Sequence, residues 1–133
     1  MVARTDPIRL AVVAVGGAVG AWLRWRIGVH WPVRPGELPA TTLVVNLTGA
    51  FLLGLVIATW LERRPQRLVA HALVGTGVLG SYTTFSTMTV EAVTLVEADR
   101  LLLAGGYLAM SLMAGVVVMG LGLRLGRAAW GLR

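Results

Sequence analysis

The sequence predicts an all-α integral membrane protein of four transmembrane helices, with the third broken at mid-membrane. Three observations predict this fold class. Of the 133 residues, 56% are hydrophobic and 14% are charged, whereas an ordinary soluble domain carries about 25% charged residues. The mean hydropathy of +0.77 agrees. Four apolar runs each reach the roughly 20 residues that a spanning helix needs. The third run carries "GTGVLGSYTTFST" at 75–87, a glycine- and hydroxyl-rich stretch that a helix in lipid would avoid at its centre.

Taken in order, the first span runs from about 8 to 29. Pro7 suits a helix start. Trp22, Trp25 and Trp31 crowd the far interface, as belt aromatics do. A basic start before an apolar run resembles a signal peptide, but the run ends in Arg24 and Arg26 without a small-residue cleavage site. A retained helix is therefore expected. The second span runs from about 40 to 61, after the loop "WPVRPGELP". The third runs from about 68 to 96 and the fourth from about 101 to 125, with Trp130 as a late belt residue. Short connections make the four antiparallel neighbours, and one membrane domain over 1–133 accounts for the length.

Charge supports the placement. All twelve basic residues are Arg. They cluster at the ends of apolar segments, where they anchor helices, and this argues against a nucleic-acid partner. Arg4, Arg9, Arg63, Arg64, Arg67, Arg124, Arg127 and Arg133 fall on one side, against Arg24, Arg26, Arg34 and Arg100 on the other. The excess favours a cytoplasmic N-terminus, yet it is modest and compatible with insertion in both orientations. Cysteine is absent, which excludes disulfides and thiolate metal sites. Gly16 with Gly20, and Gly122 with Gly126, are small-residue pairs of the kind that let membrane helices approach, or simply glycine-rich turns.

Two pattern matches are rejected on context. Gly75 to Gly80 spells GxGxxG, but it lies inside a span and lacks the strand that a dinucleotide loop requires. Asn46 to Thr48 spells a glycosylation sequon inside the second span. His30 and His71 lie far apart at interfaces and make a poor metal site.

The remaining polar residues are more telling. Asn46 within a span must find partners inside the bundle or in a wet cavity, and Thr42 lies one turn before it on the same face. Tyr107, Ser111 and Gly115 recur every four residues on the fourth span. Each set reads either as a track for a small hydrophilic solute or as hydrogen bonding between helices. Gly77, Gly80 and Ser81 to Thr84 weaken the third helix, and a broken helix frees carbonyl oxygens that can bind a small cation. Phe85 and Met88 share a face beyond the break, with Thr84, Ser86, Thr87 and Thr89 nearby. Glu91 lies toward one end of the third span. The lack of a carboxylate at the centre of any span counts against proton-coupled transport, and no enzymatic residue set stands out.

At this point a family resemblance is visible. "GAVGAWLRWRIG" at 17–28, "TTLVVNLTGAFLLG" at 41–54 and "GVLGSYTTFSTM" at 77–88 resemble the CrcB/Fluc fluoride channels, over nearly the whole chain. The resemblance implies a dual-topology protein of the cell (inner) membrane that assembles as an antiparallel homodimer. It further implies two fluoride pores and one structural central sodium ion, held by the backbone carbonyls of Gly80 and Thr83 from each subunit. By motif position, Phe85 lines the pore and Asn46 donates near fluoride, with Thr42 beside it. Tyr107 and Ser111 belong to the polar track with Thr84 and Ser86 nearby. Glu91 lies near a pore end, and Arg24 draws anions into a vestibule.

The chain departs from the family pattern at three places. Met88 stands where a second Phe is usual, Ser81 where Gly is frequent, and Gly115 where a track Ser is expected. The physics suits an anion path otherwise. Strongly hydrated fluoride needs close donors to replace its water, and the edge of an aromatic ring is positive. The rivals are a four-helix coupled exporter, which would want a carboxylate in the first span, and a non-transporting assembly subunit.

Overall fold

The computed structural model describes residues 6–62, 64, 66–129 and 131. Arg4, Arg63, Trp130 and Arg133 lie outside the described residues. Four helical segments are long and apolar enough to cross a membrane: Pro7–His30, Ala40–Leu61, Leu68–Glu97 and Leu101–Ala128.

The first span is one helix, α1 (Pro7–His30). Asp6 caps it, with Oδ1 accepting from the Ile8 N–H at 3.0 Å, and Pro7 occupies a first-turn position where no N–H is needed. The second span starts as α2 (Ala40–Val56) and widens into a π-type stretch over Ile57–Leu61. The third is composite: α3 (Leu68–His71), a π-type stretch over Ala72–Leu79, α4 (Gly80–Tyr82), an interruption, then α5 (Phe85–Glu97). The fourth is α6 (Leu101–Ala128). Gly36 takes a positive φ of 79° in the first connection, and Asp99 takes 57° in the last, a region that Asp tolerates better than most residues.

Glycine decides how the spans cross. A methyl on Gly20 would collide with the Val78 carbonyl, and one on Gly122 with the Phe51 carbonyl. Backbone therefore meets backbone where α1 crosses the π-type stretch of the third span and where α2 crosses α6. Both small-residue pairs expected from sequence are real crossing points; Gly54 on α2 completes the second against Met119.

The break falls at the threonine end of the weak stretch expected from sequence, not at its glycines. Gly77 and Gly80 remain helical, and the chain leaves the helix at Thr83 (ψ 155°) and Thr84 (φ −146°, ψ 120°). The reason is local: Thr84 is the N-cap of α5, its hydroxyl accepting from the Thr87 N–H at 3.1 Å. Beyond it, Met88, Ala92 and Leu95 of α5 pack against Leu43 of α2 and Ala104 and Tyr107 of α6, forming the buried core. Most other large apolar side chains face outward, as a lipid solvent permits.

Candidate functional site

The interruption in the third span is bridged by one side chain. Asn46 Oδ1 accepts from the Thr84 N–H at 2.8 Å, and its Nδ2 donates to the Thr84 carbonyl at 2.9 Å. Asn46 thus supplies the partner that the Thr84 N–H lacks and a second donor to a carbonyl that also starts α5. Gly49, one turn below, has no side chain, and Thr83 Cγ2 fills the space.

This pairing and the Thr84 cap together leave two carbonyls without their usual donors. The Thr84 N–H would bond to Gly80 O in a continuous helix, but it goes to Asn46. The Thr87 N–H would bond to Thr83 O, but it goes to the Thr84 hydroxyl. Gly80 and Thr83 therefore keep carbonyl oxygens with no helical N–H donor. The Ser81 carbonyl between them accepts from Arg24 Nε at 3.2 Å, so Arg24 braces the break from α1.

A groove of about 370 Å³ opens beside the bridge. It brings together Asn46, Gly80, Thr83, Thr84 and Phe85 with Met88, Ser111 and Gly115. Phe85 is 70% exposed, while Met88 is only 3% exposed and belongs to the core, so the two share a wall but differ sharply in setting. The difference arises because Phe85 is the first residue of α5, ahead of the turns that pack on α2 and α6. Ser111 donates back to the Tyr107 carbonyl at 2.7 Å. A Cβ at Gly115 would meet nothing within 4 Å. Ser86 is exposed, 3.3 Å from the Thr84 hydroxyl, and is not among the residues that line the groove.

Thr42, Glu91 and Tyr107 form a second cluster, one turn along α2 and α6 from Asn46 and Ser111. Thr42 Oγ1 donates to Glu91 Oε1, and Tyr107 Oη donates to Glu91 Oε2, each at 2.7 Å. The carboxylate has a dedicated hydroxyl on each oxygen, which is how a charge can sit between helices. Sequence reasoning had all three residues but not their contact, because it spans three elements. It also missed the Thr84 cap and the 3.0 Å pairing of Thr48 with Tyr82. A hydroxyl residue heading an apolar run at 84 was the available signal for the cap.

Among the described residues, no three His, Cys, Asp or Glu side chains come together to hold a metal. A cation here would have to be held by backbone and hydroxyl oxygens, and the Gly80 and Thr83 carbonyls are of that kind.

Residues 11–123, spanning every residue of both clusters, match the family described as CrcB-like protein, Camphor Resistance (CrcB). The chain belongs to the CrcB family. Its relatives include a protein of Nocardia farcinica named fluoride-specific ion channel FluC 2, 39% identical over 94% of this chain and 88% of its own length. One of Agrobacterium fabrum, named fluoride-specific ion channel FluC, is 38% identical over 90% of this chain and 97% of its own. A third, FluC 2 of Symbiobacterium thermophilum, is 40% identical over 87% of this chain and 95% of its own. With four membrane-spanning helices, this CrcB protein is a multi-pass membrane protein.

Proposed function

We propose that this CrcB protein is a passive, fluoride-selective ion channel that lowers cytoplasmic fluoride across the inner membrane. The observation that carries the reading is the likeness, over 94% of the chain, to a protein named a fluoride-specific ion channel. The site geometry fits it. Fluoride must exchange water for close donors. Asn46 uses one amide N–H on Thr84 and keeps its second for the groove. Phe85 presents a ring whose edge is positive. Glu91, the carboxylate nearest this path, has a hydroxyl donor on each oxygen, which offsets its repulsion of an anion.

The finer reading is an antiparallel homodimer with the break of the third span at mid-membrane depth. A second copy would cover the open groove and the exposed Phe85 ring. A sodium ion held by the Gly80 and Thr83 carbonyls of both subunits would supply a fixed positive charge. The Asn46 bridge takes the Thr84 N–H away from Gly80, and the Thr84 hydroxyl takes the Thr87 N–H away from Thr83, which leaves both carbonyls out of helical bonding.

Vesicles reconstituted with the protein and loaded with potassium fluoride are expected to empty when valinomycin sets the voltage, with or without a proton gradient. Trapped fluoride under these conditions sinks the reading. Efflux that requires the gradient favours a coupled exporter instead.

A further inference from the structure

A second cavity, of about 440 Å³, lies between the start of α1, the end of the second span and the first half of the third. Its polar lining is Arg9, His71 and Thr76. Leu53 and Gly75 line both this cavity and the Asn46 groove, so these two residues border both spaces. The His71 Nε2 atom is buried and has no hydrogen-bond partner. A buried ring nitrogen without a partner carries a desolvation cost. Arg9 is a permanent cation, and Asp6 at 3.6 Å is its counter-charge. At Gly75 a Cβ would meet nothing within 4 Å, so no side chain packs against this point of the border.

We propose that the Arg9–His71–Thr76 cavity is a capture site for a small inorganic anion, from which the anion passes between Leu53 and Gly75 into the Asn46 groove. The inference rests on the fluoride-channel reading and assigns its entrance on the Arg9 side. Arg9 concentrates anions by charge, the Thr76 hydroxyl provides a donor, and the apolar remainder of the wall keeps the field of that charge strong. Asp6 opposes capture by pairing with Arg9, while its other oxygen caps α1.

Three substitutions separate these roles. Asp6→Asn keeps a capping side chain and removes the counter-charge, and Arg9→Gln removes the cation. Gly75→Leu narrows that passage without displacing anything within 4 Å of its Cβ. Initial fluoride efflux from vesicles would be measured at low and high potassium gluconate, with oligomer size followed by gel filtration. At low ionic strength, Asp6→Asn is expected to raise the rate about threefold and Arg9→Gln to lower it about threefold, with both effects shrinking in high salt. Gly75→Leu is expected to cut efflux at least about tenfold at either salt with oligomer size unchanged, in keeping with a steric rather than an electrostatic barrier. A conducting wild type whose three variants all match it overturns the capture site and leaves the channel reading standing. A wild type that does not conduct overturns the channel reading itself.

Discussion

Asn46 pairs with the Thr84 backbone as a strand would, accepting from its N–H at 2.8 Å and donating to its carbonyl at 2.9 Å. The Thr84 N–H has no helical partner, whereas the Thr84 carbonyl, as the N-cap carbonyl of α5, also accepts within that helix. Asn46→Ala therefore orphans the N–H, at about 1–3 kcal/mol. A stability loss of about 1–3 kcal/mol is expected in unfolding titrations in mixed micelles, together with near-complete loss of fluoride efflux. Asn46→Asp retains the acceptor and loses the donor, so its stability should fall between the two while its efflux is lost equally. An Asn46→Ala protein as stable as the wild type would show that the break stands without the bridge.

Glu91 poses a related problem with a charge in place of a peptide group. Thr42 and Tyr107 each donate to a different carboxylate oxygen. Thr42→Val and Tyr107→Phe each strip one donor from an ionised group, a loss of about 1.5–3 kcal/mol. Glu91→Gln keeps one acceptor oxygen and gains an NH₂ that a rotated Tyr107 hydroxyl can accept, so it should be the mildest change at this site. Glu91→Ala orphans both hydroxyls and should be the worst. The order Gln, single hydroxyl deletion, Ala is checked by thermal unfolding. A glutamine variant less stable than the alanine one would contradict the assignment.

The four spans were legible because lipid imposes length and hydropathy directly on each segment, and the observed helix ends follow the sequence limits closely. Gly16 and Gly20 were legible as a crossing for the same kind of reason, since only a missing Cβ permits that approach. The break was legible to within the 77–84 stretch, but the residue at which it falls was not. Glycine lowers helix propensity, so Gly77 and Gly80 drew attention. Yet Gly77 is needed for contact with Gly16 and stays helical, while Thr83 and Thr84 leave the helix because Asn46, 38 residues away, offers a better partner. No local pattern carries a bond between elements. The contact of Thr42 and Tyr107 through Glu91 escaped sequence reasoning on the same ground.

The crossings predict opposite outcomes for one chemical change. Alanine in place of an exposed helical glycine stabilises by about 0.5–1 kcal/mol through backbone entropy. A Cβ at Gly105 would meet nothing within 4 Å, so Gly105→Ala should be neutral or stabilising by that amount. Gly20→Ala and Gly122→Ala force a methyl into a neighbouring carbonyl, and the helices must part. A loss of about 2–3 kcal/mol is expected for each. Equal melting temperatures for Gly20→Ala and Gly105→Ala would refute the close crossing.

Met88 stands where the family usually places a second Phe, and its setting argues against a simple exchange. It is 3% exposed and packed among Leu43, Ala92, Leu95, Ala104 and Tyr107 while also lining the groove. A flexible thioether fills such an irregular gap. A rigid phenyl ring overpacks it, at about 1–3 kcal/mol, and presses on Tyr107, which holds Glu91. Met88→Phe is therefore expected to lower stability by that amount without raising fluoride efflux, while Met88→Leu, nearly volume-conserving, should cost less than about 1.5 kcal/mol. Both variants are compared by thermal unfolding and vesicle efflux. A Met88→Phe protein of wild-type stability and faster efflux would mean that position 88 answers to the groove and not to the core.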